Sequence, residues 1–508
     1  MPYDRRVIAS TRAATAAAQA GAVLERLPEL DGARPIDVAE RFRDLPGLVL
    51  LESARPGRHG RWSYLSADPV ALLEMPAGDA TGDAAGSTGV DPRAPRIDAP
   101  VPREDIFAPA RGLVGRLDGR PLADPSAPPF VGGLMGYLGY DFGRRLERLP
   151  VHAAADQTLP DLRLALHDWV IAWDRRTGLA YLGGRVLDGD PRHLLSRLAT
   201  VRRRVRDRSA YEPVPDPDNG PTLDHRFRSG LDRMAFEAGV EAIRDAIARG
   251  EIYQANLTRR LEMAFDGDPW PLFRRLRTGD PSLMAAFLDL GLDPTGGGRR
   301  AILSASPEPF LTVSADGRVS TDPIKGTRPR GRTRDEDRAL ARELLASGKD
   351  QAENVMIVDV LRNDLGRVCV PGSVQVPRLC RLERTAAVQH LVTTVSGRLA
   401  SGRDAFDLLA ASFPGGSITG APKIRAMEII ESLEPVRRGP YTGAAGWIGP
   451  DGAMATSILI RSFVTDGRRL TIHVGGGITW RSDPAAEWDE TVAKLRGPLG
   501  AIGGRESN

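Results

Sequence analysis

Asp-Gly turns recur between short apolar runs in the second half of the chain, at Ala315-Asp-Gly317, Pro450-Asp-Gly452 and Asp466-Gly467. Such dipeptides supply the positive φ values of tight hairpins, so the runs flanking each turn are expected to pair antiparallel. Strands are predicted at 301–304, 310–314, 442–448, 456–464 and 469–474, with helices at about 335–365, 403–412, 422–432 and 484–496. Hairpins with interspersed helices predict an α+β fold built on antiparallel sheets, not a strict βαβ alternation.

The first half carries a helix start at Asp37, an apolar run at 47–53, a turn at 56–60 and a second run near Trp62–Leu65, which together read as a hairpin. Residues 76–104 are Gly, Ala, Asp, Pro and Ser with little to bury, and read as a flexible loop. Strand-like segments follow at 130–140, 162–173 and 180–184, then a basic helix over roughly 190–208. Tyr211–Pro221 holds four prolines in eleven residues and marks the main boundary, dividing residues 1–222 (linker about 209–222) from 223–505. Beyond it, Met234–Arg249 places Phe236, Val240, Ile243 and Ile247 at helical spacing, and a strand is expected at 251–258.

Composition removes several function classes. The 69 basic and 66 acidic residues leave a net charge of only +3, the arginines are scattered and aromatics are 6%, so no nucleic-acid partner is expected. No apolar run approaches the ~18–20 residues that cross a bilayer, and Arg12 interrupts the alanine-rich N-terminus, which argues against a membrane span or a cleaved signal. Two cysteines, Cys369 and Cys380, imply no disulfide framework and suit a reducing cytoplasm.

Chemistry-bearing residues gather after the boundary. Lys325 lies in Thr321-Asp-Pro-Ile-Lys-Gly-Thr-Arg-Pro-Arg-Gly331, where Pro323 forbids an ordinary helix and Gly326 permits close backbone approach. Locally it reads as a solvated loop lysine. Glu487, Glu490 and Lys494 share one helix face, either as a solvated salt-bridged stripe or as two carboxylates for a hard cation with a lysine for an anion. Asp350 and Glu353 open a second helix, serving its dipole or the same cation. Gly415–Lys423 fails the phosphate-loop pattern because Ala-Pro separates the last glycine from Lys423, yet it opens a helix end able to receive an anion. Gly475, Gly476 and Gly477 offer bare amides, and Arg461 reads as a charge within an apolar strand that needs a carboxylate partner.

Together these pieces resemble the chorismate-utilising enzymes: the large subunits of anthranilate and aminodeoxychorismate synthases, with isochorismate and salicylate synthases as cousins. The resemblance is carried by Ile252-Tyr-Gln-Ala-Asn-Leu257, Ser304-Ala-Ser-Pro-Glu-Pro-Phe310, Pro323–Gly331, Ala352–Asp364, Gln389-His-Leu-Val392, Phe413–Lys423, Ile460-Arg-Ser462 and the Glu487/Glu490 helix. A weaker match, Leu50–Ser53 and Gly132–Tyr140, extends it N-terminally. The resemblance implies an antiparallel sandwich with helices outside. It implies a Mg²⁺ held chiefly by Glu353 and Glu490, with Asp350 and Glu487 in support; the family more often has glutamate where Asp350 stands. It further implies that Gly326, Thr327, Thr419, Tyr441, Arg461, Gly475–Gly477 and Lys494 hold chorismate. His390 matches a histidine suggested to assist proton transfer.

Two positions point to one branch. Gln254 replaces the water-activating lysine of isochorismate-forming members, and Lys325 stands where anthranilate synthases usually have alanine. The Pro-Ile-Lys-Gly-Thr form resembles the aminodeoxychorismate-forming branch, in which Lys325 attacks C2 and Glu308 acts as acid and base at C4. Anthranilate formation is the alternative. Without the Gly-x-Cys-x-Gly loop of a class I glutaminase, the chain is expected to take ammonia from solution or from a separate amidotransferase subunit. The tryptophan pocket of regulated relatives is expected to be vestigial: Leu51, Glu52, Ser53 and Pro281 remain, but Leu283 and Met284 replace a Pro-Tyr pair.

Overall fold

A computed structural model describes residues 21–55, 57–78, 105–122, 124, 126–207, 225–384 and 388–507. The loop expected over 76–104 falls outside them except for 76–78, and the linker at 209–222 lies wholly outside.

Two large sheets face each other. The larger runs in spatial order Ala22–Arg26, Leu179–Arg185, Trp169–Asp174, Trp62–Ser66, Val49–Glu52, Met284–Leu292, Arg299–Ser306, Ser462–Asp466, Arg469–Ile478, Gln254–Ala264, His225–Ser229 and Gly504–Glu506. The smaller runs Ile324–Pro329, Val388–Arg398, Arg318–Thr321, Pro309–Val313, Met454–Ile458, Ala444–Ile448, Gly133–Leu138, Leu162–His167 and Ala71–Met75. Among the described strands, pairing within these sheets is antiparallel save for Gly504–Glu506 against His225–Ser229. Both sheets draw strands from either side of the proline-rich boundary.

The period-2 alternation of the strands sorts their side chains into layers. Val49, Tyr64, Val170, Leu288, Ile302 and Val464 of the larger sheet meet Met135, Tyr137 and Trp447 of the smaller in an inter-sheet core. The opposite faces bury Leu50, Leu65, Phe287 and Leu303 beneath helices on one side, and Leu134, Leu164 and Leu311 beneath helices on the other. At roughly 25 cal/mol per Å² of apolar surface removed from water, this three-layer burial is the main stabilising term. The α+β sandwich with outer helices is as expected.

Several expected elements divide. The run 162–173 is two strands, one in each sheet, broken at the fully buried Asp168, whose carboxylate pairs with Arg197 at 3.2 Å. The run 456–464 likewise becomes Met454–Ile458 and Ser462–Asp466, again in different sheets. An apolar run long enough for one strand is equally suited to two that cross between faces. The helix at 335–365 is two, Arg334–Ala346 and Gly348–Gly366, separated by Ser347, which caps the second by accepting from the Asp350 amide. The strands Met284–Leu292, Ile324–Pro329, Gln375–Arg384 and Val388–Arg398 have no counterpart in the expected set, whereas Arg318–Thr321 is the return strand of the hairpin expected at 315–317.

Candidate active site

The site forms where the chain passes from one sheet to the other. Glu308 lies between Arg299–Ser306 of the larger sheet and Pro309–Val313 of the smaller, and Arg461 lies between Met454–Ile458 and Ser462–Asp466. The two crossings are bonded together, the Ile458 amide donating to the Glu308 carbonyl and the Ala305 amide to the Arg461 carbonyl, each at 3.1 Å. Arg461 is therefore not inside a strand, as its apolar neighbours suggest. It takes φ 51° at the break, its side chain is 44% exposed, and its nearest carboxylate is Asp280 at 3.7 Å.

Lys325 is not a loop lysine. Pro323 ends one strand pairing and Ile324–Pro329 forms a new strand against Val388–Arg398. The register slips between Lys325↔Leu391 and Thr327↔His390, leaving Gly326 as a bulge at φ 68°. A Cβ at Gly326 would stand 2.9 Å from Asp350 Cβ and from Leu344 Cδ1, so only glycine lets the strand lie against these two helices. The bulge turns Lys325 inward, where Nζ donates to the Ser417 carbonyl at 3.1 Å. Desolvation lowers its pKa, with Lys494 adding to the effect, while Glu308, Glu353 and Glu490 oppose it. Glu308 is buried and shifted upward by that burial, against the pull of Lys325, a Ser417 hydrogen bond and Lys494. The amine is brought down and the carboxyl brought up, and the two are linked through Ser417 and each other's charge. Opposed shifts of this kind suit a nucleophilic amine paired with a general acid.

His390, on the strand opposite, has Nδ1 3.3 Å from Thr327 Oγ1. Burial, then the charges of Arg55 and Arg461, depress its pKa to about 4, so it is neutral at pH 7. Thr419 is fully buried and its hydroxyl donates to the Gly415 carbonyl at 2.9 Å, bracing the loop that presents Ser417. Lys423 ties that loop to Asp364 and the Ser412 carbonyl, both at 2.8 Å, which gives it a structural employment instead of an anion. Tyr441 is buried and stacked on His473, ring centroids 4.9 Å apart.

The helices Gly348–Gly366 and Pro484–Ala501 bring the acids together. Burial raises the pKa of Glu353, with Asp350 and Glu487 adding to the rise against Lys325 and Lys349. Burial also raises Glu487, with Glu490 adding to it. Burial works the same way on Glu490, but Lys494, paired at 2.7 Å, overrides it and the net shift is downward. Asp350 is turned to Arg328 at 3.2 Å. Lys494 Nζ also donates to the Gly475 carbonyl at 2.8 Å, so the helix face is salt-bridged and anchored at once. The glycine strand lies over it: a Cβ at Gly476 would be 3.3 Å from Glu487 Oε2 and 3.7 Å from Glu490 Oε1.

Among the described residues no three His, Cys, Asp or Glu side chains converge closely enough to hold a metal alone. The donor set nonetheless fits Mg²⁺, which keeps waters and takes one or two carboxylates plus substrate oxygens. Glu487 adds to the raised pKa of Glu353 and Glu490 to that of Glu487, a repulsion that a bound cation would relieve.

Sequence reasoning missed Ser417, whose carbonyl and side chain join Lys325 to Glu308, and Arg55, whose charge reaches His390 and Arg461. Ser417 lies within the Gly415–Lys423 loop but its residue type does not mark it there, and nothing local singles out Arg55. Gln254 is buried with its amide oxygen lacking a hydrogen-bond partner among the described residues. Four of the five expected tryptophan-pocket residues, Leu51, Glu52, Ser53 and Met284, line an inter-sheet cavity of about 400 Å³, together with Leu283; Pro281 does not. Glu52 there is engaged by Arg277 at 2.7 Å.

Residues 97–500 match the family of chorismate binding enzymes. The chain belongs to that family. It is 38% identical over 465 residues to aminodeoxychorismate synthase component 1 of Salmonella typhimurium, covering 90% of this chain and 94% of the relative. It is 41% identical over 413 residues to anthranilate synthase component 1 of Streptomyces coelicolor, covering 79% of each. Among solved structures, anthranilate synthase component I from Streptococcus pneumoniae superposes with a TM-score of 0.70 at 28% identity, covering 93% of this chain and 99% of that one. The acids, glycine strand and seam crossings described above all lie within the matched region of this chorismate-binding enzyme. No helix among the described residues is long and apolar enough to cross a membrane.

Proposed function

We propose that the protein is the chorismate-binding component of an aminodeoxychorismate synthase. It would convert chorismate and ammonia to 4-amino-4-deoxychorismate, the precursor of 4-aminobenzoate and folate, with ammonia released from glutamine by a separate amidotransferase subunit. The observation that carries this reading is Lys325: a desolvated amine of lowered pKa beside Glu308, a buried carboxyl of raised pKa.

Neutral Lys325 attacks C2 of chorismate, both ring double bonds shift (C1=C2 to C1=C6 and C5=C6 to C4=C5), and the C4–O bond breaks as Glu308 protonates the departing hydroxyl. Ammonia then adds at C4, both ring double bonds shift back, and the C2–N bond to Lys325 breaks, restoring the amine; Glu308 takes a proton from the incoming nitrogen. Arg461, Tyr441, Lys494 and the Gly475–Gly477 amides hold the polar edges of the substrate, with Gly326 and Thr327 beneath the ring and Thr419 bracing the loop. A Mg²⁺ held by Glu353 and Glu490, with Glu487 and Asp350 behind them, would neutralise and orient the ring carboxylate.

The test is incubation with chorismate, Mg²⁺ and ammonium, with products identified by mass spectrometry. Aminodeoxychorismate is expected; anthranilate with pyruvate as the main output would overturn the assignment. That second outcome is the reading favoured by the similarity to anthranilate synthase components, and Lys325 is the residue that speaks against it.

A further inference from the structure

Arg55 belongs to none of the family motifs and lies on the segment that follows the Val49–Glu52 strand. Its backbone amide donates to the Ser282 carbonyl at 3.2 Å, which seats it against the turn holding Asp280. Its Nε is buried without a hydrogen-bond partner, and its guanidinium makes no hydrogen bond or ion pair among the described residues. Asp280 Oδ1 is 3.7 Å from Arg461, and Oδ2 has no hydrogen-bond partner among the described residues. Two guanidinium groups thus share the Asp280 carboxylate beside a neutral His390, with neither making a close ion pair to it. Burial and the nearby Arg461 both disfavour the charge on Arg55, a cost that a second anion would offset.

Chorismate carries two carboxylates, and the acid cluster on the two helices lies beside Lys325 and Lys494. We propose that Arg55 is a substrate-binding residue that, with Arg461, clamps the side-chain carboxylate of chorismate between two guanidinium groups. This rests on the chorismate reading above. It also gives the segment before the proline-rich boundary a direct part in the site, because Arg55 and Arg461 reach the seam from opposite sides of that boundary.

The test separates the two carboxylates. Wild type, Arg55→Ala and Arg55→Lys are titrated calorimetrically, in Mg²⁺, with a stable aromatic analogue, 3-(1-carboxyvinyloxy)benzoate, and with benzoate, which lacks the side-chain carboxylate. Losing one charge-assisted clamp is expected to weaken the dicarboxylate about 10- to 100-fold in Arg55→Ala while leaving benzoate unchanged. Arg55→Lys is expected to recover only part, since an ammonium cannot reproduce the planar fork. In turnover, KM for chorismate should rise more than kcat falls. Equal weakening of both ligands, or of neither, would overturn the role of Arg55 and leave the site reading intact. Failure of wild type to bind either ligand would overturn both.

Discussion

At the level of single residues, the chemistry turns on two opposed pKa shifts. Lys325 must be neutral to attack, so activity rises as pH climbs through its lowered pKa. Glu308 must be protonated to release the hydroxyl, so activity falls as pH passes its raised pKa. The expected kcat profile is a bell, and Glu308→Gln should remove the alkaline limb while lowering kcat roughly 10²–10⁴-fold. Lys325→Ala should reduce aminodeoxychorismate formation to background in the mass-spectrometric assay; undiminished product would rule out the covalent route. His390, with a pKa of about 4, stays neutral from pH 6 to 9 and should contribute neither limb. Chelation should abolish turnover and added Mg²⁺ restore it, with Glu490→Gln needing more metal for half-maximal rate.

At the level of elements, the bulge at Gly326 decides which way the strand presents its lysine. Gly326→Ala combines a positive φ with a Cβ 2.9 Å from Asp350 Cβ, and should cost about 1–2 kcal/mol or more in stability, read as a lowered thermal midpoint. The segment Pro160-Asp161 offers a separate check. Asp161 is buried and its pKa is pushed up to about 7 by that burial, then by Asp141. A carboxyl with a raised folded pKa stabilises most below its unfolded value near 3.8, and that contribution is lost as pH rises through about 7. Between pH 6 and 8.5 the thermal midpoint of Asp161→Asn should therefore fall less than that of wild type.

At the level of the whole molecule, two sheets exchange strands at a seam, and the seam is where Glu308 and Arg461 meet. The cavity of about 400 Å³ between the sheets lies beside it, with Leu51, Ser53 and Met284 on its wall and Glu52 already committed to Arg277. Tryptophan is expected to inhibit weakly at best. An inhibition titration showing strong, saturable loss of activity at micromolar tryptophan would refute this.

The α+β class, the hairpins at 315–317, 450–452 and 466–467, and the helices carrying Asp350, Glu353, Glu487 and Glu490 are legible from turn chemistry and short-range periodicity, because hairpin turns and helix faces are local. The strands Ile324–Pro329 and Val388–Arg398 are not, because their half-polar sequences are held as strands by their pairing: with each other, at long range, and for Val388–Arg398 also with Arg318–Thr321 and Gln375–Arg384. Nor can periodicity reveal that the runs 162–173 and 456–464 each serve two sheets, since one continuous apolar pattern suits a strand or a crossing alike. The residue types of the chemistry, Lys325 and Glu308 above all, were set by sequence alone. Their usefulness was decided by tertiary structure, since only burial and a facing charge move an amine down and a carboxyl up, and only the seam brings Arg55 to Arg461.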